Sequence, residues 1–152
     1  GSVASGVSLY YGNIQLEVGN KATPFTRAGG TIQGELAACQ RYYEKSYAQA
    51  TALGTATEVN AISSSGNAAA ATTTNIGTGL LFKVVKRTTP TLTIYDAAGN
   101  SGKTGRYFLF STTSNNNNVA AANIGDASAL IYSDGSANAQ GIIFHYTASA
   151  EL

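Results

Sequence analysis

Apolar positions recur along this chain with two different periods, and the change from one to the other divides it. In residues 13–18, Ile14, Leu16 and Val18 fall on one side and Asn13, Gln15 and Glu17 on the other, the alternation of a half-buried strand. The run begins near Ser8 and is interrupted at Gly12-Asn13, a strong turn pair. Gly19-Asn20 ends it, and Pro24 keeps the residue before it out of the helical region, so residues 22–25 are extended. Ala28-Gly29-Gly30 reads as a joint. Beyond it Ile32, Leu36, Cys39 and Tyr43 are spaced i, i+4, i+7, i+11, an apolar helical stripe with Gln33, Gln40, Arg41 and Glu44 turned away. Thr31 is the expected N-cap. Gly34 in the first turn costs up to about 1 kcal/mol relative to Ala, so this helix of two to three turns needs packing to persist. Residues 43–47 (YEKSY) suit a strand at least as well as a continuing helix.

Everything downstream has the period of a pleated strand. Residues 80–86 place Leu80, Phe82 and Val84 together, with Leu81, Lys83 and Val85 opposite. Residues 91–96 follow Pro90 with Leu92 and Ile94 on one face. Residues 106–111 pair Phe108 with Phe110, residues 129–132 form a short strand, and residues 141–147 align Ile142, Phe144 and Tyr146. Turn chemistry separates these runs at 96–102 and 133–136, and residues 114–118 read as a polar loop. Residues 51–79 have weak periodicity and fit two poor strands or one long loop. Short, evenly spaced strands predict a mostly β fold, a β-sandwich of jelly-roll type, with one short α-helix near the N-terminus. Leu36 and Phe144 both count as core in this reading, and truncating either to Ala is expected to cost about 2–5 kcal/mol.

Composition narrows the function. The 152 residues fit one ordinary domain, 43% are hydrophobic, and only 11% are charged. Nine Lys+Arg against eight Asp+Glu leave a formal charge of +1, which argues against a nucleic-acid partner. No apolar run approaches the roughly 20 residues of a membrane-crossing helix, so no membrane insertion is expected. A lone cysteine, Cys39, excludes an intrachain disulfide and a multi-cysteine zinc site. Abundant Ala, Thr, Ser, Asn and Gly with nine Tyr make a surface with little charge repulsion, a surface suited to association with its own copies. The absence of Met and the opening Gly1-Ser2 lead us to expect a vector-derived scar on a fragment of a longer protein.

The chemistry-bearing residues are few. Cys39 and His145 are the sole thiol and imidazole, but Cys39 lies on the apolar stripe, where cysteine behaves as a small buried hydrophobe. The scattered acids show no pairing of the kind a glycosidase needs, and Asp96 and Asp134 stand in turns, where aspartate serves local hydrogen bonding. No spacing matches a metal or nucleotide motif, so no catalytic residue, metal or cofactor is expected. Lys83, Lys86 and Arg87 are the one basic cluster and read as an ordinary solvated strand edge. The loops are more suggestive. Tyr95, Asp96 and Asn100, then Asn115, Asn116, Asn117 and Asn118, then Tyr132 and Asp134, combine aromatic faces with neutral hydrogen-bonding groups, the palette of adaptable binding loops. Plain hairpin turns are the competing reading for each.

Several phrases go together. NIQLEVGNKATPF (residues 13–25), ELAACQRYYEKSY (35–47), the strand–Pro–strand stretch LLFKVVKRTTPTLTIYDAAGNSG and the closing FHYTASAEL (144–152) resemble the distal region of bacteriophage tail-fibre and tail structural proteins. The resemblance implies that residues 1–30 are the scar plus the end of a preceding fibre domain or neck, and residues 31–152 a C-terminal β-sandwich tip domain. It implies a homotrimer at the distal end of a virion's tail fibre that binds a bacterial surface receptor, a glycan or an outer-membrane protein. The loop residues named above are then the expected receptor contacts. The alternative is a structural module that trimerises and caps the fibre without recognising anything.

Overall fold

The computed structural model describes residues 16–21, 23–27, 29–65, 76–108, 111–133 and 141–151. One helix, α1 (Ile32–Gln40), precedes eight strands: β1 (Tyr43–Lys45), β2 (Ile62–Ser65), β3 (Ile76–Leu81), β4 (Thr91–Tyr95), β5 (Lys103–Phe108), β6 (Ser111–Ala122), β7 (Ser128–Ser133) and β8 (Gly141–Ser149). All pair antiparallel in one curled sheet of order β1-β8-β5-β6-β7-β3, with β2 and β4 also on β8. The fold is mostly β, as its alternating sequence predicts.

The strand β8 is the hub. Thr147 is paired with Lys45 of β1 and Thr93 of β4, and Ile143 with Ser63 of β2 and Gly105 of β5, so both its edges are occupied. Its expected apolar face is real: Ile142, Phe144, Tyr146 and Ala148 pack into a core with Leu80, Phe82, Ile94, Ala129 and Ile131. The opposite face, with Ile143, His145 and Thr147, is buried as well. A strand covered on both faces and both edges has no solvent side.

The helix departs from expectation. Thr31 does cap it, its hydroxyl accepting from the Gly34 amide at 3.0 Å, and Glu35 in the first turn pairs with Arg27 at 2.9 Å. No residue of α1 is buried, however: Ile32 is 64% and Leu36 45% exposed, and Cys39 is exposed too. The stripe exists in sequence, but among the described residues nothing buries it. Gly34 has a structural reason, since a Cβ there would stand 2.1 Å from the Gly29 carbonyl oxygen, and one at Gly29 would stand 2.3 Å from the Gly34–Glu35 peptide. Two backbones touch at that point, and only glycine permits it. Leu36→Ala is therefore expected to cost less than about 1 kcal/mol in a urea melt, well below the core value that the stripe suggested.

Further expectations change. The strand placed at 80–86 ends at Leu81. From Phe82 onward the chain turns inward, with the amides of Phe82 and Lys86 donating to the Ala127 and Asp126 carbonyls. The asparagine run is no loop but the middle of β6. Residues 51–79 supply β2 and β3, with residues 66–75 outside the described set. The strands at 91–95, 128–133 and 141–149 lie close to where the alternation put them. The strand expected over 106–111 is divided between the end of β5 and the start of β6, and residues 16–18 form no strand, with Leu16 and Val18 wholly exposed. Residues 8–15 of the first expected strand, together with Ala28, Phe110 and Asp134, fall outside the described residues.

Candidate functional site

Residues 43–47 bring three polar side chains to β8 and its neighbours. Glu44 alternates inward from β1, and its side chain and that of Lys86 are both inaccessible to solvent. The carboxylate accepts from Lys86 Nζ at 2.6 Å, from the Tyr146 hydroxyl at 2.5 Å and from the Lys83 amide at 3.1 Å. Lys86 uses its other ammonium hydrogens on the Gln40 and Val84 carbonyls, at 2.6 and 2.9 Å, and lies 5.2 Å from the centre of the Phe82 ring. All three donors are thus satisfied, which is what makes a buried ammonium tolerable. The reading of Lys86 as part of a solvated edge is corrected here. Burial, and then the neighbouring Glu44 carboxylate, push the Tyr146 phenol far above its ordinary range, so it stays a donor.

One residue along, Ser46 meets His145. His145 is 0% exposed, its Nε2 lies 3.0 Å from the Thr57 carbonyl and its Nδ1 2.9 Å from Ser46 Oγ. A carbonyl only accepts, so Nε2 carries the proton and Nδ1 accepts from the serine hydroxyl. Ser46 Oγ in turn accepts the Tyr146 amide at 3.0 Å, and the imidazole stacks on Tyr47 at 3.9 Å. With both nitrogens engaged and Cys39 exposed on α1, the thiol and imidazole form no pair. The ring instead fastens residues 46–57 to β8.

Burial, opposed by the Thr57 hydrogen bond, lowers the His145 pKa below the ordinary imidazole value of 6.5. The folded chain then binds fewer protons than the unfolded chain once pH drops below 6.5. Stability holds above that value and declines beneath it, down to the folded pKa. Between pH 7.5 and 5, the unfolding free energy is expected to fall on this account. Urea titrations at the two pH values measure it, and His145→Gln should flatten the slope.

The loop residues expected at a receptor surface are placed as follows. Tyr95 ends β4, half-buried, with its ring edge-on to Tyr47 at 6.0 Å. Asp96 is fully buried, its carboxylate accepting from the Ala98 and Asn100 amides and from Asn100 Nδ2, all at 2.8–3.0 Å. That is turn chemistry, and it holds the Asn100 side chain too. Asn115, Asn116, Asn117 and Asn118 lie on β6. Asn117 donates to the Thr104 carbonyl, Asn118 accepts from Lys103 Nζ, and Asn115 is exposed. Tyr132 is half-buried on β7, opposite Gly77 and Ala120.

Two depressions flank β1. One, of about 410 Å³, lies between α1 and β1 and is lined by Leu36, Cys39, Tyr42, Tyr43 and Glu151 among others. The second, of about 590 Å³, has Tyr47, Tyr146, Ser46 and Ile62 in its floor and walls and Gln49, Asn60 and Lys83 exposed at its rim. Both volumes lie within the roughly 300–1,000 Å³ of small-molecule sites. The sequence pointed to neither; residues 46–49, 60–62 and 83 of the second carry no shared spacing and are far apart in the chain. Among the described residues no three His, Cys, Asp or Glu side chains cluster as metal ligands would, and no helix is long and apolar enough to cross a membrane.

Comparison with protein-family models, with curated proteins and with solved structures returned no match.

Proposed function

We propose that this chain is the distal, receptor-binding module of a phage tail fibre, a β-sandwich of jelly-roll type that works as a homotrimer on the virion and attaches to a glycan or protein of the bacterial surface. The phrases at 13–25, 35–47 and 144–152 motivate the reading. The observation that carries it is the open depression beside β1, where neutral carboxamides stand at the rim of an aromatic floor. Amides that both donate and accept, exposed around an open depression, suit a hydroxyl-rich ligand. Trimerisation is supported by apolar surface that the chain leaves uncovered, with Leu16 and Val18 wholly exposed and Ile32 and Leu36 in solvent on α1.

Adsorption of the purified protein to phage-susceptible and phage-resistant cells, with competition against phage, tests the recognition. Selective adsorption and competition are expected, and equal adsorption to both strains overturns it. The same uncovered helix favours a second reading, a module that trimerises and caps the fibre without binding a receptor. A trimer by light scattering that adsorbs to no cell would select that reading.

A further inference from the structure

The depression between residues 46–49, residues 60–62 and Lys83 has a definite electrostatic character. Among the described residues its one charged lining residue is Lys83, exposed at the rim. The buried Glu44 carboxylate is answered by Lys86 at 2.6 Å and adds no exposed negative charge to it, while the exposed Glu58 stands two residues before Asn60 and is not part of the lining. The Lys83 main chain is fixed by its amide hydrogen bond to Glu44, and its Nζ donates to the Lys45 carbonyl at 3.1 Å, which leaves two of its three hydrogens for another acceptor. A second exposed lining residue is Asn60, whose backbone is left-handed at φ 65°, an uncommon conformation for a residue with a side chain. Gln49 is the third exposed group, and its backbone carbonyl is held by Lys45 Nζ at 3.0 Å. Tyr47 and Tyr146 are each 2% exposed, so the floor beneath these three groups is closed and partly apolar.

We infer that this depression binds a carboxylate-bearing sugar, with Lys83 Nζ taking the carboxylate and the Gln49 and Asn60 amides taking ring hydroxyls. A compact ammonium pairs with a single negative charge as a point charge, whereas a dianionic phosphate monoester favours the forked donors of arginine, and no arginine lines the depression. Amides rather than further cations beside the lysine among the described lining residues match hydroxyls, which need donor and acceptor together. The inference rests on the receptor-binding reading only for its biological setting, since the chemistry is that of the depression itself.

The test is a titration of the purified protein with glucuronate and, separately, with glucose and glucose 6-phosphate, followed by amide chemical shifts. Glucuronate is expected to shift residues 46–49, 60–62 and 83 and to bind about tenfold more tightly than glucose. Lys83→Gln should remove that advantage and leave glucose binding and the melting curve unchanged, because the replaced side chain is exposed. Asn60→Gly relieves the left-handed backbone, so it should keep or raise stability and still weaken glucuronate binding. Equal binding of glucuronate and glucose, tighter binding of the phosphate, or shifts confined to other residues would each overturn the inference, as would no binding by any of the three. Cell adsorption separates this outcome from the broader reading: adsorption that Lys83→Gln leaves intact overturns the sugar site alone. Glucuronate binding by a protein that adsorbs to no cell supports the site and overturns the receptor role.

Discussion

Lys86→Met is expected to lower the unfolding free energy by about 3–5 kcal/mol, read as a shift of the urea midpoint at neutral pH. The substitution conserves most of the side chain's length and apolar stem, so little packing is lost. What is lost is the counter-charge to Glu44, whose carboxylate has no access to water and is left with the Tyr146 hydroxyl and the Lys83 amide. The Gln40 and Val84 carbonyls also lose their donor. An unpaired buried charge is far costlier than a missing ion pair, so the double variant Glu44→Gln/Lys86→Met should recover a large part of the loss. A single-variant cost below about 1 kcal/mol would mean that water reaches the pair.

Phe144→Ala should cost about 3–5 kcal/mol by the same measurement. Phe144 is 0% exposed in the middle of β8, with strands on both sides of it, and its neighbours in the core come from β3, β4 and β7 as well as from the segment after Leu81. Each of those elements is tied into the sheet, so the cavity left behind cannot collapse without breaking a ladder, and the cost belongs at the upper end of the range for aromatic truncations. Comparison with Leu36→Ala separates the two kinds of apolar stripe in this chain.

That contrast also shows where the sequence speaks and where it is silent. Alternation located β4, β7 and β8 because a pleated strand with a buried face leaves a direct imprint, and Ile142, Phe144 and Tyr146 carry it. The helix boundary was legible through Thr31. Whether its stripe is covered was not, because periodicity records which residues would share a face and says nothing about what lies opposite. The asparagine run misled for a related reason: asparagine favours turns, yet β6 is held between β5 and β7, and side-chain contacts such as Asn117 to Thr104 offset its weak strand preference. Lys86 misled most. A lysine is almost always solvated, and only the three acceptors gathered from α1, β1 and its own loop, none adjacent to another in the sequence, make its burial possible. The depression beside β1 was hidden likewise, since Gln49, Asn60 and Lys83 are ordinary surface residues until the fold brings their segments together.

The position of β8 among its partners has a kinetic consequence. The hydrogen bond from the Tyr146 amide to Ser46 spans 100 residues and that from the Tyr146 hydroxyl to Glu44 spans 102. Neither can form before a loop of that size has closed, and the entropy of closure is spent before any of the reward arrives. Topologies dominated by such distant pairings reach the native state in milliseconds to seconds, slower than helical chains of similar size. Until the segment bearing Tyr146 docks, strands β1, β2, β4 and β5 each wait with an open edge, and in that interval the chain is most exposed to joining a neighbour's strand in place of its own.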